Sequence, residues 1–131
     1  MPGGGLGPRR VTAGEGGFKV ELTAFETSGR GVCAMLAGGD SPHVGGVAVA
    51  VPRPKTNQVG ITCDISQICL PGHKDVYAAS IVADILAKGL NEPVSVTAGI
   101  HMDGAGEEDI ALLLDNAKSC AETWLRQHCL A

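Results

Sequence analysis

The chain has 131 residues, a formal net charge of −4, 44% hydrophobic and 18% charged residues, proportions that indicate one globular domain. Its acidic balance argues against a nucleic-acid partner, because nucleic acids favour basic patches. No stretch approaches ~20 apolar residues, so no membrane span is expected. The Gly-rich start lacks the apolar run of a signal peptide, and we therefore expect a cytoplasmic protein.

The first part of the chain predicts a flexible segment followed by a β-hairpin. Residues 1–16 are rich in Gly and Pro, and we expect them to be flexible and to precede a single α/β domain at 17–131. Apolar residues alternate over 18–27, which predicts a strand. The turn at 28–31 leads into a second strand at 32–37, so these two strands should form a hairpin.

The rest of the chain predicts three more strands and two helices. A third strand, a fourth strand, a helix, a fifth strand and a second helix are predicted at 44–51, 59–70, 75–90, 94–100 and 107–128. Pro52 should end the third strand, because proline cannot donate to a β-ladder. The order β-β-β-β-α-β-α predicts an α/β fold of the α+β kind, with a single mixed sheet of about five or more strands.

The cysteines do not indicate a disulfide framework or a cysteine-based zinc site. Their number, five, is odd, and no CxxC pair occurs. Cys33 and Cys63 lie in apolar strands and Cys120 lies on a helix, so we expect these three to be buried small hydrophobic residues.

Three histidines are predicted to meet at one edge of the sheet. The third and fourth strands are joined by a short connection and should be antiparallel, whereas the fourth and fifth flank a helix and should run in the same direction. His43 precedes the third strand, His73 follows the fourth and His101 follows the fifth, so all three should share an edge. The aspartates that flank them, one apiece, are Asp40, Asp75 and Asp103.

This edge has two chemical interpretations that the residues alone leave open. Three imidazoles can bind a transition metal, with the aspartates tuning or completing the ligand shell. Alternatively, the imidazoles and Lys74 could hold a phosphate or another anion, aided by the N–H groups at the two strand-to-helix turns. No HExxH, phosphate-loop or nucleophile-elbow motif is present, so no local pattern chooses between them.

Four short motifs at these residues resemble one known family. The motifs are Ser41–Ala48, Val51–Pro54, Pro71–Asp75 and Ala98–Asp103. Together and in this order they resemble the small prenylated-flavin chaperone (LpdD-like) family. These are the D-type accessory proteins encoded beside gallate decarboxylase and related UbiD-type decarboxylases. The similarity extends from about residue 18 to the last helix.

The resemblance implies a non-catalytic accessory protein. It implies a fold similar to small proteasome-assembly chaperones, a homodimer, and binding of prenylated FMN, with or without a transition metal. It also implies a UbiD-type decarboxylase large subunit as partner, to which the cofactor is delivered or in which its oxidative maturation is assisted. The positions carried over as cofactor contacts are His43, Arg53, His73, Lys74, His101 and Asp103, with His43, His73 and His101 as the metal set.

The flavin interpretation makes further expectations about the site. An apolar floor for the ring is expected from Val44, Ile100 or Met102. Tyr77, in the first turn of the first helix, is expected to pack in the core rather than face the pocket. Arg53 closes its strand at the opposite edge and would reach the pocket only across a dimer or after a fold-back.

Two alternatives to a cofactor chaperone stay open. The first is a small metal-dependent enzyme with a three-histidine site, in which Asp103 or Asp75 acts as base on a metal-activated water. The second is an assembly or scaffold subunit that contacts a partner and uses none of the histidines.

Overall fold

The computed structural model describes residues 7–71 and 75–130, and in that part of the chain two α-helices pack on a six-stranded sheet. The strands are β1 Arg9–Ala13, β2 Val20–Glu26, β3 Val32–Gly39, β4 Gly46–Pro54, β5 Ile61–Cys69 and β6 Val94–His101. The helices are α1 Val76–Leu90 and α2 Glu107–Leu130, and a short 3₁₀ helix spans Gly16–Phe18. The predicted α+β fold with a single mixed sheet is confirmed.

The strand order across the sheet is β1-β2-β3-β6-β4-β5. The last strand in the chain, β6, lies in the middle, parallel to β3 and antiparallel to β4. Because β5 is also antiparallel to β4, strands β5 and β6 run in the same direction although β4 separates them. The predicted strand directions are therefore confirmed. The start of β4 and the ends of β5 and β6 share one edge of the sheet.

The core lies between one face of the sheet and the two helices. Its largest fully buried side chains are Trp124, Leu22, Leu36, Leu86, Val20, Val82, Val94, Val96 and Cys120. Helix α1 presents its small residues to the sheet and ends at Asn91, whose left-handed backbone (φ 54°) stops the helix. Neither described helix is long and apolar enough to cross a membrane.

Strand β1 differs from the expectation of a flexible segment over 1–16. Residues 9–13 pair antiparallel with β2, and Val11 is buried beneath α2. The guanidinium carbon of Arg9 lies 5.0 Å from the centre of the Trp124 ring, so a cation–π contact holds the strand to the end of α2. The sequence gives no alternating apolar pattern for this strand, because only one of its five residues is buried.

Strand β4 continues through two prolines that were expected to stop it. Its pairing with β6 ends at Ala50, whereas its pairing with β5 continues to Pro54. Beyond Ala50 the side of β4 that faces away from β5 has no partner strand among the described residues. Pro52 and Pro54 lie in this one-sided stretch, where a missing N–H removes no ladder bond.

Candidate functional site

The strand edge predicted to carry the histidines begins with a β-bulge at two glycines. The Gly45 N–H donates to the Ala98 carbonyl (2.8 Å), and Gly46 is the register partner of the same Ala98. Two residues of one strand thus oppose one residue of β6, which defines a bulge and turns the preceding loop across the sheet. A Cβ on Gly99 would overlap the His43 carbonyl, so only glycine allows this loop to lie against β6.

A buried carboxylate takes the place of the strand that the bulge displaces. Asp75, just before α1, is 8% exposed, and its Oδ1 accepts the N–H of Ile100 (2.8 Å) near the end of β6. Its other oxygen, Oδ2, accepts a hydrogen bond from His43 Nε2 (3.0 Å). A Cβ on Gly45 would overlap this carboxylate, so the bulge glycine makes room for it. Asp75 therefore joins the start of α1, the end of β6 and the His43 loop.

The hydrogen bonds of His43 favour its protonated form. Its Nδ1 donates to the Ser41 carbonyl (2.9 Å) and its Nε2 donates to Asp75, so both acceptors require a ring N–H. The Ser41 carbonyl raises the pKa of His43, burial works against it, and the Asp75 carboxylate raises it further. The net shift of the His43 pKa is upward, so the buried carboxylate and the Ser41 carbonyl together favour the protonated imidazole.

His101 lies beside His43, as the strand directions predict. The two ring centres are 6.1 Å apart and the rings are inclined by 72°. His101 Nε2 donates to Asp103 Oδ1 (2.8 Å), and the His101 carbonyl accepts the Asp40 N–H (2.6 Å). Two histidine–aspartate pairs therefore stand side by side at this edge.

The other residues predicted to contact the cofactor are not seen beside the two histidine–aspartate pairs in the described part of the chain. His73 and Lys74 lie outside the described residues. Arg53 is seven positions along β4 from the bulge, about 23 Å away at ~3.3 Å per residue, and its Nε donates to Asp64 on β5 (3.0 Å). The strand carries Arg53 away from the histidines, so within one chain it is not part of this site.

A cavity of about 460 Å³ opens beside the histidine edge, between the end of β6 and the two helices. Its lining residues are Asp75, Tyr77, Ala78, Ile100, His101, Met102, Ala105, Ile110, Leu113 and Leu114. Most of these side chains are apolar, and Asp75 and His101 form its polar border. This volume lies within the ~300–1,000 Å³ of small-molecule sites.

The cavity lining corrects two expectations about apolar residues. Ile100 and Met102 line it as expected, but Val44 does not, and Val44 is 57% exposed. Tyr77 lines it too and is 71% exposed, so the expectation that Tyr77 packs in the core is wrong. Its neighbours Val76, Ala78 and Ala79 are buried, so Tyr77 lies on the exposed side of the first turn of α1, beside the cavity.

The contribution of α2 to the cavity escaped sequence analysis. Ile110, Leu113 and Leu114 belong to the apolar stripe of α2, whose spacing by itself indicates only core packing. Their position in the chain could have indicated this role, because all three lie in the first two turns of a helix that begins at the histidine edge.

The two helix N-termini at this edge differ in their suitability for an anion. Glu107, Glu108 and Asp109 occupy the first turn of α2, and the Asp109 carboxylate accepts the N–H of Gly106 (3.0 Å). Those charges disfavour a phosphate there. The first turn of α1 carries no acid, and Asp75 makes no side-chain cap because its carboxylate turns toward Ile100 and His43. The N-terminus of α1 is therefore the better anion site of the two.

Metal ligands are not gathered at this edge by the described residues alone. Across 7–71 and 75–130, no group of three His, Cys, Asp or Glu side chains could hold an ion. Among the cysteines, Cys120 is buried as expected, Cys33 and Cys63 are half-buried, and Cys69 and Cys129 are exposed; all are free thiols.

Comparison with known proteins concerns the fold and the family of this chain. The crystal structure entitled "Crystal Structure of a Novel Chaperone Complex for Yeast 20S Proteasome Assembly" contains a chain similar in fold, with a TM-score of 0.58 and 16% identity. The match covers 89% of this chain and 93% of that one, and it confirms the predicted similarity to proteasome-assembly chaperones in fold. No curated protein matches the sequence. The family model of the prenylated flavin chaperone LpdD-like domain matches residues 14–129, and the chain therefore belongs to that family.

Proposed function

We propose that this protein is a cytoplasmic accessory protein that binds prenylated FMN in the cavity beside His101. It would assist delivery of the cofactor to a UbiD-type aromatic-acid decarboxylase, or its oxidative maturation there. The observation that carries this proposal is the apolar cavity of about 460 Å³ in a member of this family, bordered by Asp75 and His101, which are one member of each histidine–aspartate pair.

The residues present fit the two ends of such a cofactor. The apolar side chains of Ile100, Met102 and Leu113 would contact the ring system and the prenyl group, whose burial is favourable by about 25 cal/mol per Å² of apolar surface. The phosphate would lie at the acid-free first turn of α1. When His43 is protonated, it offsets the negative charge of Asp75, the buried carboxylate that immediately precedes this turn.

The exposed Tyr77 ring would complete the ring site. It borders the cavity and can lie against one face of a flat ligand without displacing a core residue. Lys74 and His73, which precede α1 in the sequence, would add cationic contacts to the phosphate.

Binding of reduced prenylated FMN under anaerobic conditions tests the proposal. We expect binding by the wild type, weaker binding of FMN, and loss of binding when Ala105→Trp fills the cavity. Ala111→Trp places the same side chain on the exposed side of α2 and should bind as the wild type does. Equal affinity of the two tryptophan variants for the reduced cofactor would refute the cavity as the site.

The same samples address the partner and the metal. Added to a UbiD-type decarboxylase, the wild type should raise the fraction of active enzyme and Ala105→Trp should not. A metal would need His73 in addition to His43 and His101, so elemental analysis of the wild type and of His101→Ala decides that part. Turnover of a small substrate by the protein alone would favour a metal-dependent enzyme. Decarboxylase activation by cofactor-free Ala105→Trp would favour a scaffold.

We also propose that two copies act together as a homodimer, as the family resemblance implies. Light scattering coupled to size-exclusion chromatography should give a mass of twice the 13.3 kDa chain.

A further inference from the structure

The two outer strands of the sheet differ in how their free edges are protected. Strand β1 has five residues, begins with two arginines and packs beneath α2. Strand β5 has nine residues, Ile61–Cys69, and contains no proline, lysine or arginine. Its one charged residue, Asp64, is bonded to Arg53 of the neighbouring strand β4. Short length and basic side chains are common ways to protect an edge, and β5 uses neither of them, although α1 packs on one face of β5 through the hydrogen bond between Gln67 and Ser80.

The backbone of β5 directs alternate residues toward its open side. In the turn that closes the β4–β5 hairpin, the Lys55 N–H donates to the Gly60 carbonyl, which sets the alternation along both strands. By that alternation, the even-numbered residues of β5 bond to β4. The residues whose N–H and C=O groups point outward are Ile61, Cys63, Ile65, Gln67 and Cys69. No described strand pairs with this side.

We infer that β5 pairs antiparallel with β5 of a second copy of this chain, about a two-fold axis at Ile65. The two six-stranded sheets then form one continuous sheet. This inference supplies the interface of the proposed homodimer, and it rests on that proposal but not on the cofactor.

The strand is self-complementary in this register. Asp64 lies opposite Ser66 of the second copy, and Cys63 lies opposite Gln67, so no two like charges are directly opposed. A register shifted to centre on Asp64 would place the two carboxylates face to face, which is unfavourable. The register centred on Ile65 also brings the two outward-directed Ile65 backbones together, so that each N–H donates to the other C=O.

The exposed side chains of β5 gain from this pairing. Residues 64–69 are all exposed, although they include Ile65 and the 71% exposed Ile68. In the paired sheet Ile65 meets Ile65 of the second copy, and Ile68 meets Thr62. β1 offers a smaller interface, because it has five residues against the nine of β5.

Ile65→Pro tests the inference, because it removes an outward N–H and leaves the bonds to β4 intact. Two hydrogen bonds are lost per dimer, so the dimer dissociation constant should rise about 30-fold. Ile65→Ala removes the side chain but keeps the N–H, and should weaken the dimer less. Gln67→Pro removes a second outward N–H and serves if Ile65→Pro fails to fold by circular dichroism.

Sedimentation velocity over a dilution series measures the constants of the full-length variants. Weaker dimers of both proline variants, with Ile65→Ala closer to wild type, support the edge pairing. If the wild type is a dimer and both proline variants have its dissociation constant, the β5 interface is overturned although the homodimer is confirmed. A monomeric wild type overturns both the interface and the homodimer, and neither result affects cofactor binding by the single chain.

Discussion

The carboxylate of Asp75 should contribute more to stability than any surface ion pair of this protein. In Asp75→Ala, the Ile100 N–H and the His43 ring lose their acceptor at a position that is 8% exposed. An unsatisfied buried donor costs about 1–3 kcal/mol, and a broken buried ion pair costs about 3–5 kcal/mol. Since the His43 side chain is 25% exposed, we expect the free energy of unfolding to fall by about 3 kcal/mol.

Chemical denaturation measures this loss, and the thermal midpoint should fall by about 10 °C. Asp75→Asn keeps an oxygen for the Ile100 N–H and loses only the charge toward His43, so its loss should be about 1 kcal/mol. Asp84→Ala is the control on the same helix, because it breaks an exposed ion pair with Lys88 and should cost less than about 0.5 kcal/mol. If Asp75→Ala and Asp84→Ala lower the free energy of unfolding by the same amount, the hydrogen bonds of Asp75 to Ile100 and His43 do not stabilise this edge as we argue.

Three further predictions concern a charge, a close contact and a thiol. The raised pKa of His43 means that its protonated form stabilises the fold. That contribution is complete below about pH 6.5 and is lost as the pH rises through the higher folded-state pKa. The stability difference between wild type and His43→Gln should therefore shrink with rising pH, and a constant difference would contradict this. Gly99→Ala should lower the free energy of unfolding by about 2 kcal/mol in denaturant melts, because its Cβ meets the His43 carbonyl. Gly29→Ala, in open space, should change it by less than about 0.5 kcal/mol. Burial raises the pKa of the Cys120 thiol to about 11, so at pH 8 an aromatic disulfide reagent should modify the exposed Cys69 and Cys129 before Cys120. Mass spectrometry of the modified peptides shows the order, and early modification of Cys120 in the native protein would argue against its burial.

The sequence was sufficient to place His43 and His101 together because that prediction needs only strand direction. A short connection reverses a strand and a helical connection restores its direction, whatever the order of strands in the sheet. The insertion of β6 between β3 and β4 depends on contacts between distant segments, and no local pattern encodes them. The same limit explains β4, which can continue past Pro52 because β6 begins at Val94, opposite Ala50, and does not extend alongside the prolines.

The detailed chemistry of the edge could not be predicted from residue types. Asp75 was expected as an aspartate that flanks a histidine, but its carboxylate turns to the sheet because the bulge at Gly45 leaves the Ile100 N–H without a strand partner. Tyr77 looked like a core residue because aromatic side chains usually are, yet it lies on the exposed side of α1 while its neighbours Val76, Ala78 and Ala79 are buried.

The central position of β6 has a consequence for how the chain folds. The β1–β3 meander and the β4–β5 hairpin each need only neighbouring segments, but β3 and β6 pair residues about sixty positions apart. During synthesis, therefore, two separate β-sheets can form early, and the sheet is completed only when β6 leaves the ribosome. Because the His43–His101 pair, the Asp75 contacts and the cavity all border the end of β6, a partly synthesised chain lacks the proposed cofactor site.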